Sequence, residues 1–300
     1  MELTQEFRVK VAKALLENRK HFTGSDAAFA RTHSINNSIY SRLKNGETVK
    51  LLSDQQWFTI GKNLGVTLNS RDWKVAATEV FQMIEEEIAF CQEFAKARIF
   101  VDDCGIGKTF TAKWMARNRR NCFYVDASQS KTKHRFIKAL ATAIGVDDKG
   151  KYAEIMSNIK YYLHVLPTPL IIIDEAGDLD YAAFLEIKEL WNATENVCGW
   201  YMMGAEGLRA KIERGINCRK VGYREIFSRY SEKYSSIVPV DRKEKQLFYK
   251  KLITDVLTVN AVAQELIPNI VNKCLIQQDG NIGGLRRAES LLILNNMQHG

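Results

Sequence analysis

Apolar residues divide the chain into three stretches that differ in spacing. From residue 4 to residue 66 they recur three or four positions apart, at Phe7, Val11, Ala14 and Leu15 and again at Trp57, Ile60 and Leu64, the spacing of amphipathic helices. Four helices are predicted, over 4–20, 26–33, from the Asn36 cap to Asn45, and over 54–64. Ser25, Asn36 and Ser53 stand at N-cap positions, Ser53-Asp54-Gln55-Gln56 has the capping-box form, and Gly46 and Gly65 stand where helices stop. From Thr78 a longer helical pattern (Phe81, Ile84, Ile88, Cys91) leads into short apolar runs at 97–101, 122–126, 170–174, 199–203 and 236–240. Helical patterns at 109–119, 132–144, 151–166 and 180–195 separate these runs. Such alternation predicts a five-stranded parallel sheet covered on both faces, an α/β core. After Asp241 only helical patterns follow, at 241–257, 260–276 and 282–297. The expected organisation is an all-α domain over 1–66, a linker over 67–77, an α/β core over 78–240 and a helical domain over 241–300.

Two of the apolar runs end in chemistry. The first, Ala97 to Val101, is followed by Asp102-Asp103-Cys104-Gly105-Ile106-Gly107-Lys108-Thr109 and then a helix. This is close to G-x-x-x-x-G-K-[ST], in which backbone N–H groups at a helix N-terminus hold phosphates. Cys104, Gly105, Ile106, Gly107, Lys108, Thr109 and Phe110 are expected to wrap a nucleotide's phosphates. Lys108 would reach the β- and γ-phosphates, and the Thr109 hydroxyl would hold Mg²⁺. Asp102 occupies the place of the first glycine. A residue with a side chain fits there if φ stays negative or if Asp tolerates the left-handed region, and its carboxylate must turn away from the phosphates. The second run, Leu170-Ile171-Ile172-Ile173-Asp174-Glu175, is a strand buried on both faces that ends in two carboxylates. Asp174 is expected in the Mg²⁺ shell, and Glu175 is expected to orient or deprotonate the attacking water. Both motifs, in this order, point to an ATP site.

Composition adds direction. With 43 Lys and Arg against 35 Asp and Glu, the net charge is +8, which favours an anionic partner. The six cysteines (91, 104, 122, 198, 218, 274) include no C-x-x-C pair and no metal-ligand spacing. They read as reduced thiols, with Cys104 in the phosphate loop open to oxidation. Residues 1–6 lack the charged and apolar parts of a signal peptide, and no apolar run reaches membrane-spanning length. A cytoplasmic protein without a membrane partner is expected.

Ser25, Phe29, Ala30, Ile35, Ile39, Leu43 and Gly46 fall at the spacing of the helix-turn-helix of phage repressors, which the N-terminal stretch resembles. That resemblance implies that Asn36, Asn37, Ser38, Ser41 and Arg42 face DNA bases or phosphates and that Lys44 and Lys50 contact phosphates. The alternative is a small helical protein-binding domain.

Residues 78–298 resemble the AAA+ ATPases, with a P-loop, an acidic strand, two further strands and a helical C-terminal lid. The resemblance implies an arginine finger, which Arg229 matches best with Arg224 behind it. It also implies a second sensor at Gly283-Gly284-Leu285-Arg286-Arg287, where Arg286 is the choice. The polar sensor that the family carries after its fourth strand is missing, because Gly204-Ala205-Glu206 stands there. Either Glu206 serves or the sensor is lost.

A repressor-like helix-turn-helix ahead of such a core resembles the target-capture ATPases of phage Mu and related transposons. This implies a slow, DNA-stimulated ATPase that binds double-stranded DNA, assembles on it as a helical or ring homo-oligomer, and activates a transposase. Arg209, Lys211, Arg214, Arg219 and Lys220 would then supply phosphate contacts. The alternatives are a replication-initiator or helicase-loader ATPase, and a nucleotide-switched helix-turn-helix repressor.

Overall fold

The computed structural model describes residues 3–20, 22, 25–68, 73–261, 263–276 and 282–299. Residues 69–72 of the expected linker and residue 262 of the expected 260–276 helix lie outside them. Residues 1–72 and the greater part of 73–300 form two compact units.

The first unit holds α1 (Gln5–Lys20), α2 (Asp26–Thr32), α3 (Asn37–Lys44) and α4 (Asp54–Asn63). Ser25, Asn36 and Ser53 cap α2, α3 and α4 by accepting the amides of Ala28, Ile39 and Gln56, and the Ser53–Gln56 capping box is complete. Each cap satisfies a donor that would otherwise be orphaned, worth about 1 kcal/mol. Val11, Leu15, Phe29, Leu43 and Trp57 interlock in the core. The packing is tight at Gly61, where an added Cβ would lie 2.6 Å from the Phe7 ring. Asp26 receives Arg19 Nε at 2.7 Å and Lys44 Nζ at 2.9 Å, so one carboxylate ties α1, α2 and α3 together.

The second unit begins with α5 (Glu79–Phe94) and is built on a fully parallel sheet. Its strands are β1 (Ala97–Val101), β2 (Cys122–Asp126), β3 (Leu170–Asp174), β4 (Gly199–Gly204) and β5 (Tyr234–Ser235), in the order β2-β3-β4-β1-β5. Alternation along the strands sorts side chains to two faces. Ile99, Ile171, Ile173, Trp200 and Met202 pack under α7 (Lys133–Ile144), α8 (Tyr152–Val165) and α9 (Tyr181–Ala193). Phe100, Leu170, Ile172, Tyr201 and Met203 pack under α5 and α6 (Lys108–Asn118). At Gly199 an added Cβ would lie 2.3 Å from the Cys91 carbonyl oxygen, so only glycine lets α5 approach β4 this closely. Two helices, α10 (Glu206–Asn217) and α11 (Tyr223–Arg229), precede β5, and α12 (Arg242–Asn260), α13 (Ile267–Leu275) and α14 (Leu285–His299) follow it. Among the described residues no helix is long and apolar enough to cross a membrane.

Two expectations are corrected. The strand expected over 236–240 is instead the two-residue β5, pairing Tyr234 and Ser235 with Ile99 and Phe100. Beyond Ser235 the amides of Ile237 and Val238 donate to the Asp102 carboxylate, and Pro239 has no N–H to give a ladder. The helix expected from 260 starts at Ile267, because Pro268 is tolerated only in a first turn. Helix α10 was not anticipated by the pattern.

His33, at the end of α2, packs edge-on against Phe29 with ring centroids 4.7 Å apart, and burial pulls its pKa down to about 4. Below about pH 6.5 an unfolded chain takes up a proton that the folded unit refuses until about pH 4. The first unit is therefore expected to lose up to about 3 kcal/mol as pH falls through that window and nothing further below it. NMR titration of the His33 ring in the full chain checks this: a midpoint near 4 is expected, and one near 6.5 contradicts it.

Candidate functional site

β1 stays paired to the end, Val101 opposite Gly204, and then opens into a loop that closes at the first turn of α6. Gly105 and Gly107 have φ of +75° and +103°, values only glycine adopts without strain. The loop thereby wraps the N-terminal end of α6, where free amides and the helix dipole favour an anion. Lys108 is buried, and its Nζ donates to the carbonyls of Asp102 at 2.7 Å and Asp103 at 2.6 Å. Burial lowers its pKa, and the opposing pull of Cys104, Asp102, Glu175 and Asp174 holds the cation in place. Cys104 itself is exposed.

Asp102 turns out of the loop. Its Oδ2 accepts the amides of Ile237 at 2.6 Å and Val238 at 3.0 Å, and its Oδ1 accepts the amide of Asp103 at 2.7 Å. Its φ is not among the positive ones. A residue with a side chain therefore fits where a glycine would ordinarily stand, and its charge is absorbed by three amides, two of them from outside the loop.

β3 carries Asp174 and Glu175 to the same edge of the sheet. Asp174 is buried; one oxygen accepts the Tyr124 hydroxyl at 3.0 Å and the other the Glu175 amide at 2.9 Å. Each oxygen keeps a lone pair for a further ligand. Glu175 sits at φ +51°, and among the described residues none hydrogen-bonds its carboxylate, which is left to meet a water. Burial and then the neighbouring Asp174 raise its pKa, with Lys108 pulling the other way. A hydroxyl at Thr109 and a carboxylate at Asp174 are hard oxygen donors that suit Mg²⁺, which is commonly held by one or two protein oxygens together with substrate phosphates. Among the described residues no cluster of three acidic, His or Cys side chains forms an all-protein metal cage.

Lys108, Thr109, Glu175 and Phe110 line one cavity of about 230 Å³ together with the apolar Trp73, Ala76, Phe81, Val256 and Leu285. Arg286 lines it from the start of α14 and is exposed. Helix α14 meets the phosphate loop directly, the Leu285 amide donating to the Gly105 carbonyl at 2.8 Å. A Cβ at Gly284 would lie 2.8 Å from that same oxygen, so glycine is required for the approach.

The remaining expected residues fall elsewhere. Arg229 bonds Asn192 and the Glu225 carbonyl and lies over the Trp191 ring, while Arg224 reaches Glu232 at 3.6 Å. Arg209 lies over Tyr234 and reaches Glu206 at 3.4 Å, and Lys220 sits 3.9 Å from the Tyr181 ring. Arg214 is exposed on α10. The Lys211 ammonium donates to the carbonyls of Gly177 and Leu179, bracing the turn after Glu175. In the first unit Asn36, Asn37, Ser38, Ser41, Arg42 and Lys44 are all exposed. The Asn36 oxygen is engaged in capping, Arg42 pairs with Glu47, and Lys44 pairs with Asp26. The sequence reading missed Tyr124 and Asp103. Tyr124 was legible as the polar residue two places before Asp126, which pairs with Asp174 in register; nothing in the sequence signalled Asp103.

Residues 100–212 match the family described as "AAA domain", so this segment is an AAA-type P-loop ATPase domain. No curated protein matches the chain. Among solved structures, NtrX from Brucella abortus in complex with ATP is similar at 15% identity and a TM-score of 0.45, covering 85% of this chain. The chain spans 60% of that protein's length.

Asp102→Gly restores the glycine of the motif but strips two connector amides of their acceptor. We expect it to destabilise the second unit by about 2 kcal/mol, a fall of roughly 4–8 °C in Tm by thermal denaturation. An unchanged or raised Tm would show that the carboxylate carries no such burden.

Proposed function

We propose that this chain is an ATP-hydrolysing protein that binds double-stranded DNA, assembles on it as a homo-oligomer, and delivers it as target to a transposase. The observation that carries the ATPase half is the convergence of Lys108, Thr109 and Glu175 on one cavity with Asp174 beside it. The α6 amides and Lys108 would bind the β- and γ-phosphates, and Lys108 would exchange the carbonyls of Asp102 and Asp103 for phosphate oxygens. Thr109 and Asp174 would hold Mg²⁺, which supplies charge neutralisation at the phosphates when bound. Glu175 orients the attacking water and accepts its proton, a role its raised pKa suits. Arg286 faces the cavity from α14, and Arg229 would serve a neighbouring subunit's site after leaving Asn192.

The DNA half rests on the sequence resemblance, on the exposed polar face of α3 and on the exposed Arg214, Arg219 and Lys220 of the second unit. Asn37, Ser38, Ser41 and Arg42 would read or grip the duplex, with the net charge of +8 favouring encounter. Cellular placement with the DNA, in the cytoplasm of a bacterium, follows from that reading. A nucleotide-switched repressor is favoured by one observation only, the absence of a polar sensor at Gly204-Ala205 at the end of β4.

The test is ATP hydrolysis with and without double-stranded DNA, the same mixtures being imaged. DNA-stimulated turnover with filaments is expected, with binding and turnover lost in Lys108→Ala. In Glu175→Gln turnover should fall about 100-fold while filaments persist. Turnover should also fall on acidification with a midpoint above the ordinary 4.5 of Glu. Absent turnover with discrete complexes at one DNA sequence overturns this reading and favours the repressor.

A further inference from the structure

Asp103 is the second of two consecutive acids at the mouth of the phosphate loop, and its carboxylate points at α12. Its Oδ2 takes Lys245 Nζ at 2.5 Å and the Tyr249 hydroxyl at 2.9 Å. Lys245 and Tyr249 are four residues apart, so they present one face of that helix. The helix start is itself fixed, Asp241 accepting the amides of Lys243 and Glu244. Asp103 thus faces α12 with its side chain and Lys108 with its carbonyl, which receives Lys108 Nζ at 2.6 Å.

We propose that Asp103 is a positioning residue: through Lys245 and Tyr249 it lets helix α12 set the conformation of the phosphate loop, so that nucleotide affinity depends on where α12 sits. This rests on the nucleotide reading of the site. The linkage is reciprocal, since whatever the α12 contact contributes to nucleotide binding, nucleotide must return to the placement of α12. Asp102 strengthens the device, because it holds residues 237 and 238, just before α12, as Asp103 holds the helix. Tyr249 is buried, and that burial together with the Asp103 charge keeps its hydroxyl protonated and donating. Solvent reaches the other pair, with side-chain exposures of 38% for Asp103 and 34% for Lys245, so screening limits the effect to a few-fold.

The test uses the full chain with Lys245→Met, Asp103→Asn, their combination, and Lys245→Arg. Without nucleotide, hydrogen exchange is expected to quicken both over 242–250 and over 102–110 in Lys245→Met and in Asp103→Asn, and to return towards wild type in Lys245→Arg. Affinity for a fluorescent ATP analogue with Mg²⁺ should weaken about two- to fivefold in each single variant. The double variant should be no weaker than either single one, and kcat at saturation should be unchanged in Lys245→Met. Faster exchange confined to 242–250, or affinity losses that multiply in the double variant, overturns the proposal. A wild-type chain that binds no analogue overturns the nucleotide reading itself, whereas a wild type that binds and variants that bind equally well overturn only the positioning role of Asp103.

Discussion

One carboxylate oxygen of Asp102 accepting two successive backbone amides is the contact on which the site depends. Those amides, of Ile237 and Val238, belong to the connector that leaves β5, and without an acceptor they would be half-buried orphans. The same contact ends the fifth strand after two residues and aims Asp102 away from the loop. The backbone carbonyl of the same residue meets Lys108. A charged group at a position meant for glycine is therefore compatible with an anion site because its charge is spent elsewhere, on amides and not on a metal or a base.

The sheet beneath makes this arrangement rigid. β3 and β4 are buried throughout, so their registers carry Asp174 and Gly204 to fixed heights beside Val101. On the sheet face that also carries α6, Glu87 of α5 is buried and accepts the Tyr201 hydroxyl at 2.7 Å and Arg98 at 3.1 Å, with the Ser235 hydroxyl also donating. One satisfied carboxylate thus joins α5 to β1, β4 and β5, and a charge that would be costly if orphaned becomes a register lock. From the C-terminal helices, the α14 start closes on Gly105 and Asp103 reaches α12, so the phosphate loop is held from two helices as well as from the sheet.

Much of this was legible from residue order. Three of the four N-terminal helices announce themselves through Ser25, Asn36 and Ser53, because a short polar side chain before an apolar stripe has few other structural uses. The phosphate loop and the acidic strand read out directly, since glycine at φ beyond +70° and two carboxylates after four aliphatics are local signatures. What could not be read was pairing across distance. The destination of the Asp102 carboxylate lies 135 residues on, and without it Ser236 to Val240 looks like a fifth full strand. The same holds for Tyr124 with Asp174 and Lys211 with Gly177 and Leu179: each residue type is ordinary, and only the fold brings the partners together. Pro268 was a local signal that the helical period overrode in the reading and the backbone did not.

The central claim is that the loop from Asp102 to Thr109 holds the β- and γ-phosphates of a nucleotide, with Asp102 turned outward. Calorimetric titration of the wild-type chain with a non-hydrolysable ATP analogue and Mg²⁺, followed by competition with ADP and AMP, tests this most directly. The account predicts one saturable site per chain, competed by ADP and not by AMP, because the α6 amides and Lys108 grip phosphates that AMP lacks. Absence of saturable binding at millimolar analogue, or equal competition by AMP, would contradict it.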